Sequence, residues 1–485
     1  MASGAALRVA PDPGELAPVI EPRALLAAWA IFFVLLAYFG LEAMRPLAAE
    51  RIGIDDANIY LRYARNVADG FGIVWNPHRE RVEGGTSFLW TLICSLAYMT
   101  TPAPEMLLFW FNVGVLALAL AAWLNCHWRL VALMTRGRMA RSGLVAATAL
   151  SAVGWIVASP SYTIWTTTTL LDTGVWAASL LMSSVLTLAL ANDPHPRQLR
   201  AALALSLWLV AWARPEGFVL SGAFMVFVAG MLWHRRMPLA EIRRCLGLPI
   251  VVVIGANLGL FLFRRAYFGF WLPNTYYTKV GADLAFNLRQ GWRYFRSFVH
   301  AYPLVLFTTI ASLFIIAIWL ISVLRGSKET DELRRFLIDF AGISSSLFLM
   351  GVFNGVYVGG DQFGGWCFFQ PYWPFAFTTI LSGPLLLVVG LRRSEQSGQK
   401  WRVLAGTLAF CAIAVVLTYG FGEVKWNDLR EKAGCSTNSK SPRSVATAEK
   451  CSTASLLPSG TRRSASSRQG GFLWLTGGSR LTCSA

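Results

Sequence analysis

Charge is scarce in this 485-residue chain: 14% of residues are charged, and the acids are fewer than the bases, with 26 Asp and Glu against 43 Lys and Arg. With 55% hydrophobic residues, that composition excludes an ordinary soluble domain and a wholly disordered chain. Histidine is rarer still, with five in all, and no two stand at helical spacing for a shared metal. Cysteine occurs eight times without a CxxC pair, so no zinc site is supported. Cys94, Cys126, Cys245, Cys367 and Cys411 are scattered in mostly apolar surroundings, whereas Cys435, Cys451 and Cys483 lie near the C-terminus, where two of them could pair. No glycine-rich loop of the nucleotide-binding kind precedes a strand, and no internal repeat of the inverted-transporter kind is visible.

Apolar sequence is what the chain has in quantity. Mean hydropathy is +0.50, there are 20 Trp, and runs long enough to cross roughly 30 Å of hydrocarbon recur along it. The expected spans are 24–46, 105–125, 143–159, 173–191, 199–213, 217–233, 246–263, 302–324, 336–357, 372–391 and 403–420. The expected fold is an all-α polytopic membrane protein of about 11 transmembrane helices, with an extracytoplasmic first loop carrying juxtamembrane helices. The segment 87–101 is apolar but short and ends in TPAPE. It reads as a juxtamembrane or re-entrant helix, because a full crossing there would invert every later loop.

The net charge of +17 would suggest nucleic acid in a soluble protein, but its distribution says otherwise. In the loops 126–142, 192–200, 234–245, 325–335 and 392–402, bases outnumber acids by about three to one, the mark of cytoplasmic loops. The partner implied is the bilayer, with no nucleic acid. Residues 1–23 read as a cytoplasmic leader ahead of a retained helix, and the C-terminal tail falls outside.

The other loops hold the unusual chemistry: 47–104, 160–172 (PSYTIWTTTTLLD), the ARPEG turn at 213–217, 264–301 and 358–371. Acids, prolines, glycines and aromatics gathered on one face point to a single outward-facing site, where irregular backbone is tolerated because it lines a cavity. The first of these loops opens its motif with adjacent carboxylates, Asp55 and Asp56, directly after the first apolar run. Such a pair costs several kcal/mol when desolvated without partners, so it is usually kept for an ion, a substrate or a proton.

Six motifs then fall in a fixed order: D-D-x-x-I-x-x-R-Y-A-x-N at Asp55–Asn66, G-x-G-x-V-x-N-P at Gly70–Pro77, R-V-E-G at Arg81–Gly84, R-P-E-G at Arg214–Gly217, P-N-T-Y-Y-x-K at Pro273–Lys279 and G-G-D-x-F at Gly359–Phe363. In this order, over about residues 24–420, the chain resembles bacterial GT-C glycosyltransferases, and most closely the group containing the mycobacterial terminal arabinofuranosyltransferase. The resemblance implies a GT-C-like catalytic domain in a bacterial plasma membrane. It implies transfer of a sugar, arabinofuranose or another, from a polyprenyl-phosphate donor to a cell-envelope glycan on the outer face. Such a reaction needs an apolar groove, cations for the phosphate, and a carboxylate to take the acceptor hydroxyl's proton. The alternative is a transporter or flippase for a polar lipid or ion, which would place ionisable groups near the bilayer midplane.

On this reading Asp55 or Asp56 is the catalytic base, with Asp55 preferred, or the pair organises a divalent cation through oxygen ligands. One of the two could instead cap the helix expected over ANIYLRYARNVAD. Arg62 and Arg65 on that helix, Arg214 and Lys279 are the candidates for the donor phosphate. Tyr60 and Tyr63 read as interfacial aromatics. Pro215 breaks the helix before it and turns Arg214 and Glu216 toward the site, although Arg214 could equally form a structural pair with Glu216 or Asp172. Glu83, Glu216, Asn274, Tyr276, Asp361 and Trp366 are the supporting or acceptor-side candidates.

Two features depart from the group. Trp366 stands where related enzymes tend to carry an arginine beyond G-G-D, and could stack on a sugar or lie in the aromatic belt. After NDLREKAG the sequence turns Ser-, Thr- and Arg-rich without periodicity, so 421–485 is expected to be a disordered or truncated extracytoplasmic tail.

Overall fold

The computed structural model describes residues 22–44, 56–134, 138–280, 283–325, 332–361 and 363–391. The chain divides into two units, 1–431 and 432–485, and all described residues belong to the first. Residues 1–21 of the expected leader 1–23, Asp55, the eleventh span 403–420, the tail and its three cysteines lie outside the described residues.

Among the described residues every regular element is helical. The long helices are α1 (Pro22–Met44), α4 (Glu105–Met134), α5 (Arg138–Val157), α7 (Thr173–Asn192), α8 (Arg197–Ala213), α9 (Gly217–His234), α10 (Leu239–Tyr267), α13 (Leu304–Arg325), α14 (Glu332–Tyr357) and α15 (Trp373–Leu391), with the short elements α2 (Ala57–Ala68), α3 (Phe88–Thr100), α6 (Pro160–Thr163), α11 (Asn274–Val280) and α12 (Leu284–Ala301) between them. The ten long helices coincide with the ten expected spans that fall in the described residues. Seven helices are long and apolar enough to cross a bilayer, and the bent pair α5–α6 makes an eighth, so the protein is an all-α multi-pass membrane protein. The 13 residues of α3 rise only about 20 Å, short of a hydrocarbon core, and Ser87 caps it by accepting the Trp90 amide at 3.1 Å.

Because lipid tails are as apolar as leucine, packing rather than water exclusion joins these helices, and burial separates inner from outer ones. In α7 the apolar stretch is 94% buried and packs on α4, α8 and α9, which makes it the axis of the bundle. In α10 and α13 the same figure is 22% and 28%, and Val251, Ile254, Phe307 and Phe314 face outward, as lipid-facing helices do. Neither α2 nor α12 belongs to either class. Each buries one stripe (Tyr60, Leu61, Tyr63, Ala64; Gly291, Tyr294, Phe295, Phe298) and leaves arginines on the other, the pattern of helices lying in the interface.

The segment 160–172 is not the open loop that its sequence suggests. After α5 the chain bends by 77° into α6 and a π-turn at Ile164–Thr168, buried against α1, α4 and α7. Four consecutive threonines make this possible by returning their hydroxyls to the turn: Thr166 to Tyr162 O (2.7 Å), Thr167 to Thr163 O (2.6 Å), Thr168 to Ile164 O (2.9 Å) and Thr169 to Trp165 O (3.0 Å). A polar run thereby enters the bundle with these hydroxyls satisfied.

The bundle has two chemically distinct ends. At one, the basic loops converge: Arg129 donates to Asn192 and Glu332, and Arg235 to Asp339. At the other meet the loops carrying the six motifs, joined by Ile73 N to Tyr267 Oη, Asn274 N to Glu83 O and Trp165 Nε1 to Gly364 O.

Candidate active site

The motif end is organised by α2. Asp56 occupies the position before its first residue but has helical dihedrals and makes no capping bond from its side chain, so of the two aspartates that could cap this helix Asp56 does not, and Asp55 lies outside the described residues. Half-buried, its carboxylate has neither a hydrogen bond nor an ion pair among the described residues. Tyr60 lies one turn on, at the i+4 position on the same side of the helix. Tyr60 and Tyr63 are core residues rather than belt aromatics, at 4% and 3% exposure. Their hydroxyls tie down the loop after α2, Tyr60 to Thr86 and the Ser87 amide, Tyr63 to Val82 O and the Gly84 amide. Burial pushes both phenols above their ordinary range, helped at Tyr60 by the nearby Asp172 charge.

Beside Tyr60 lies a buried charge cluster. The helix α8 stops at Ala213, and extended Arg214 swings its guanidinium onto Asp172 with bonds of 2.7 and 3.2 Å. Glu216 stands 3.7 Å from the same guanidinium and accepts from Asn354 Nδ2 at 3.2 Å, linking α9 to α14. The Phe368 ring lies 5.7 Å from Arg214, bringing the 358–371 loop over the group. In that loop Asp361 accepts from Tyr294 Oη (2.5 Å), Phe363 N (2.8 Å) and Cys367 Sγ (2.9 Å). Gly360 has φ of 74° and rests against the Tyr294 ring, where a Cβ would collide. Burial, then the neighbouring Asp361, pushes the Cys367 thiol well above its usual range.

A second pair closes the flank. Glu83 and Arg264 form a bidentate pair, with Nε to Oε2 at 2.8 Å and Nη2 to Oε1 at 2.9 Å, and both side chains are under 10% exposed. This pair pins the first loop to the end of α10, and the Glu83 carbonyl also receives the Asn274 amide at the start of α11. Arg81 lies over the Tyr267 ring at 4.4 Å, with no carboxylate partner among the described residues.

Asp56, Glu83, Arg214, Glu216 and Asp361 are thus carried by loops that meet at this end, and four of the five are already engaged, three in ion pairs and Asp361 by hydrogen bonds from neutral donors. Arg62 and Arg65 are not brought in. Both lie on the exposed face of α2, Arg62 donating to Trp75 O and Asn76 Oδ1 at 2.8 Å and Arg65 standing 3.8 Å from Asp69. Tyr60 and Tyr63 claim the buried stripe of α2, which leaves both arginines on its other side. Arg214, expected to meet a phosphate, is shared by two carboxylates. Tyr276 is half-buried with its ring 6.0 Å from Tyr277, and the Lys279 side chain lies outside the described residues. Trp366 anchors its own loop: at φ 52° it donates Nε1 to Ser297 Oγ (2.8 Å) and packs on Phe298 and Tyr302.

Among the described residues no three His, Cys, Asp or Glu side chains gather closely enough to hold a metal, and Asp56 is the one acid of this group whose carboxylate makes neither a hydrogen bond nor an ion pair. Asp55, the other residue expected to share a cation, lies outside the described residues. Sequence reading did not single out Arg264, Tyr294 or Asn354. Arg264 carried a signal in hindsight, as a cation in the last turn of a long apolar helix.

No family model and no curated protein matches the sequence. Among solved structures the chain is similar to the Archaeoglobus fulgidus oligosaccharyltransferase in its apo form, at a TM-score of 0.44 and 12% identity. The match covers 83% of this chain and 56% of that one, so the chain spans little more than half the length of that protein.

Proposed function

We propose that this protein is a membrane glycosyltransferase of the GT-C type, acting at the motif end of its bundle. Its donor is a polyprenyl-phosphate sugar, arabinofuranose on the strength of the motif resemblance, and its acceptor is a cell-envelope glycan outside a bacterial plasma membrane. The observation that carries the reading is the half-buried Asp56 carboxylate, without a hydrogen bond or ion pair among the described residues, at the end of the bundle where Glu83, Asp172, Glu216 and Asp361 are all held by donors. A structural carboxylate gains by engaging donors, as the other four acids do, whereas a base must keep its lone pairs free.

In the reaction the acceptor hydroxyl oxygen bonds to the anomeric carbon as the bond from that carbon to the phosphate oxygen breaks. The hydroxyl proton passes to Asp56 or to the adjacent Asp55, and polyprenyl phosphate leaves with the bonding pair. Arg81 and Lys279 on this reading face the phosphate, since Arg214 and Arg264 are already committed to carboxylates. The neutralised pairs hold the loops in register around the base, which is the positioning that such transfer needs.

The test is transfer from a panel of radiolabelled polyprenyl-phosphate sugars by the purified full chain, wild type against Asp55→Asn and Asp56→Asn. Consumption of one donor by wild type, with a hundredfold or greater loss in at least one variant, is the expected result. If wild type consumes no donor, or both variants remain fully active, the reading fails.

A further inference from the structure

The basic end of the bundle holds a cavity of about 190 Å³ lined by Asn192, Arg235, Glu332, Arg335 and Phe336. It opens where α7 ends, α9 ends and α14 begins, far in sequence from every motif used above. Its two carboxylates are both taken. Glu332 accepts from Arg129 Nη2 at 2.8 Å, and buried Asp339, one turn below the rim, accepts from Arg235 at 3.4 Å and from Trp319 Nε1 at 3.3 Å. Arg335 is left over: half-buried, it makes no hydrogen bond or ion pair among the described residues, and it and Arg129 both repel Arg235 electrostatically. Among the described residues, three guanidinium groups meet two carboxylates here, and the positive charge in excess resides on Arg335, which none of them pairs.

A partly desolvated, unpaired guanidinium beside two others is unfavourable unless an anion joins them. The planar N–H fork of arginine matches a phosphate in particular. The Phe336 ring, 5.2 Å from Arg129, gives the cavity an apolar wall. We infer that this cavity is a binding site for a phosphate group, with Arg335 as its principal contact and Arg235 and Asn192 as supporting donors. Loop charge places this end at the headgroup level of the cytoplasmic leaflet, where such a phosphate is carried by anionic lipids or dissolved in water. The inference does not rest on the reading of the opposite end.

The full chain in neutral detergent is titrated with dioctanoyl phosphatidylglycerol, dioctanoyl phosphatidylcholine and inorganic phosphate, following thermal stability and ligand adducts by native mass spectrometry. Phosphatidylglycerol is expected to raise the unfolding temperature and to bind at least tenfold more tightly than phosphatidylcholine, whose phosphate is already balanced by its own choline cation and so brings no net negative charge to Arg335. Binding by inorganic phosphate as well would identify the phosphate alone as the determinant, and its absence would identify the lipid as the source. Arg335→Gln is expected to weaken binding at least tenfold, while its unliganded unfolding temperature stays no lower than that of wild type, since the side chain removed has no hydrogen bond or ion pair among the described residues. Arg335→Lys is expected to fall between. The site is refuted if neither phosphate source binds, if the two lipids bind equally, or if Arg335→Gln binds like wild type.

Discussion

At the scale of single residues, the motif end separates charges that hold the fold from one that does not. Asp172 is 2% exposed and engages Arg214 through both oxygens, so Asp172→Asn leaves a buried cation with half its neutralisation. Removing one member of such a pair costs about 3–5 kcal/mol, and a lowered unfolding temperature is the expected readout. Asp56→Asn removes no hydrogen bond or ion pair among the described residues, so its unfolding temperature is expected to stay within about 2 °C of wild type, an effect under about 0.5 kcal/mol. Transfer by the same variant falls a hundredfold or more if the proposal holds. The contrast discriminates, because a structural Asp56 would lower stability and activity together. Cys367 gives an independent check on the loop above the cluster. With its thiol raised by burial and by Asp361, it is expected to resist iodoacetamide at pH 7.5 in the folded protein and to react only after unfolding, as read by peptide mass spectrometry. Alkylation of native protein at the rate of a free thiol would mean that the 358–371 loop does not close over Asp361.

At the scale of elements, hydropathy located the long helices because a span of about 20 apolar residues has no competing explanation. It was silent where an element is short or polar. The PSYTIWTTTTLLD segment reads as a loop by composition, yet its threonines bond back to the turn and let it sit inside the bundle. Similarly, the charge at Arg62 and Arg65 was visible in sequence, but the face on which they stand was decided by which aromatic residues the loop after α2 could hold. The Arg214 break was legible because proline dictates the residue before it. The Arg264–Glu83 pair was not, since 181 residues separate its members. One element contact is testable through a single atom. Gly291 of α12 lies against the Val356 carbonyl of α14, where a Cβ has no room because the obstacle is backbone. Alanine is worth about 1 kcal/mol more than glycine in a helix, and overpacking costs about 1–3 kcal/mol. Gly291→Ala is therefore expected to be net destabilising by about 1 kcal/mol, and to disturb Asp361 through Tyr294, which α12 also carries. A rise in unfolding temperature would show that α12 is free to move away from α14.

At the scale of the whole molecule, the two ends differ in what balances their charge. The motif end encloses cations within acids, through Asp172, Glu216 and Glu83, whereas the basic end has more guanidinium than carboxylate even in its interior. Such polarity along a bundle follows from how loops are retained during insertion: basic loops stay in the cytoplasm, so a functional surface on the far side must be built from neutral and paired groups. The orientation this predicts can be measured without any activity. Single cysteines are placed at exposed Glu80 in the first loop and at exposed Arg244 near the start of α10, in a background lacking the native cysteines, and are treated with a membrane-impermeant maleimide. The cysteine at Glu80 is expected to label in intact cells, and that at Arg244 only after permeabilisation. Reversed labelling would place Asp56 in the cytoplasm and exclude an outward-facing acceptor, while leaving the internal geometry of the cluster as it stands. Equal labelling of both sites in intact cells would mean either mixed insertion or leaky cells, and a soluble cytoplasmic thiol protein followed in the same cells distinguishes them, because it labels only when the membrane leaks.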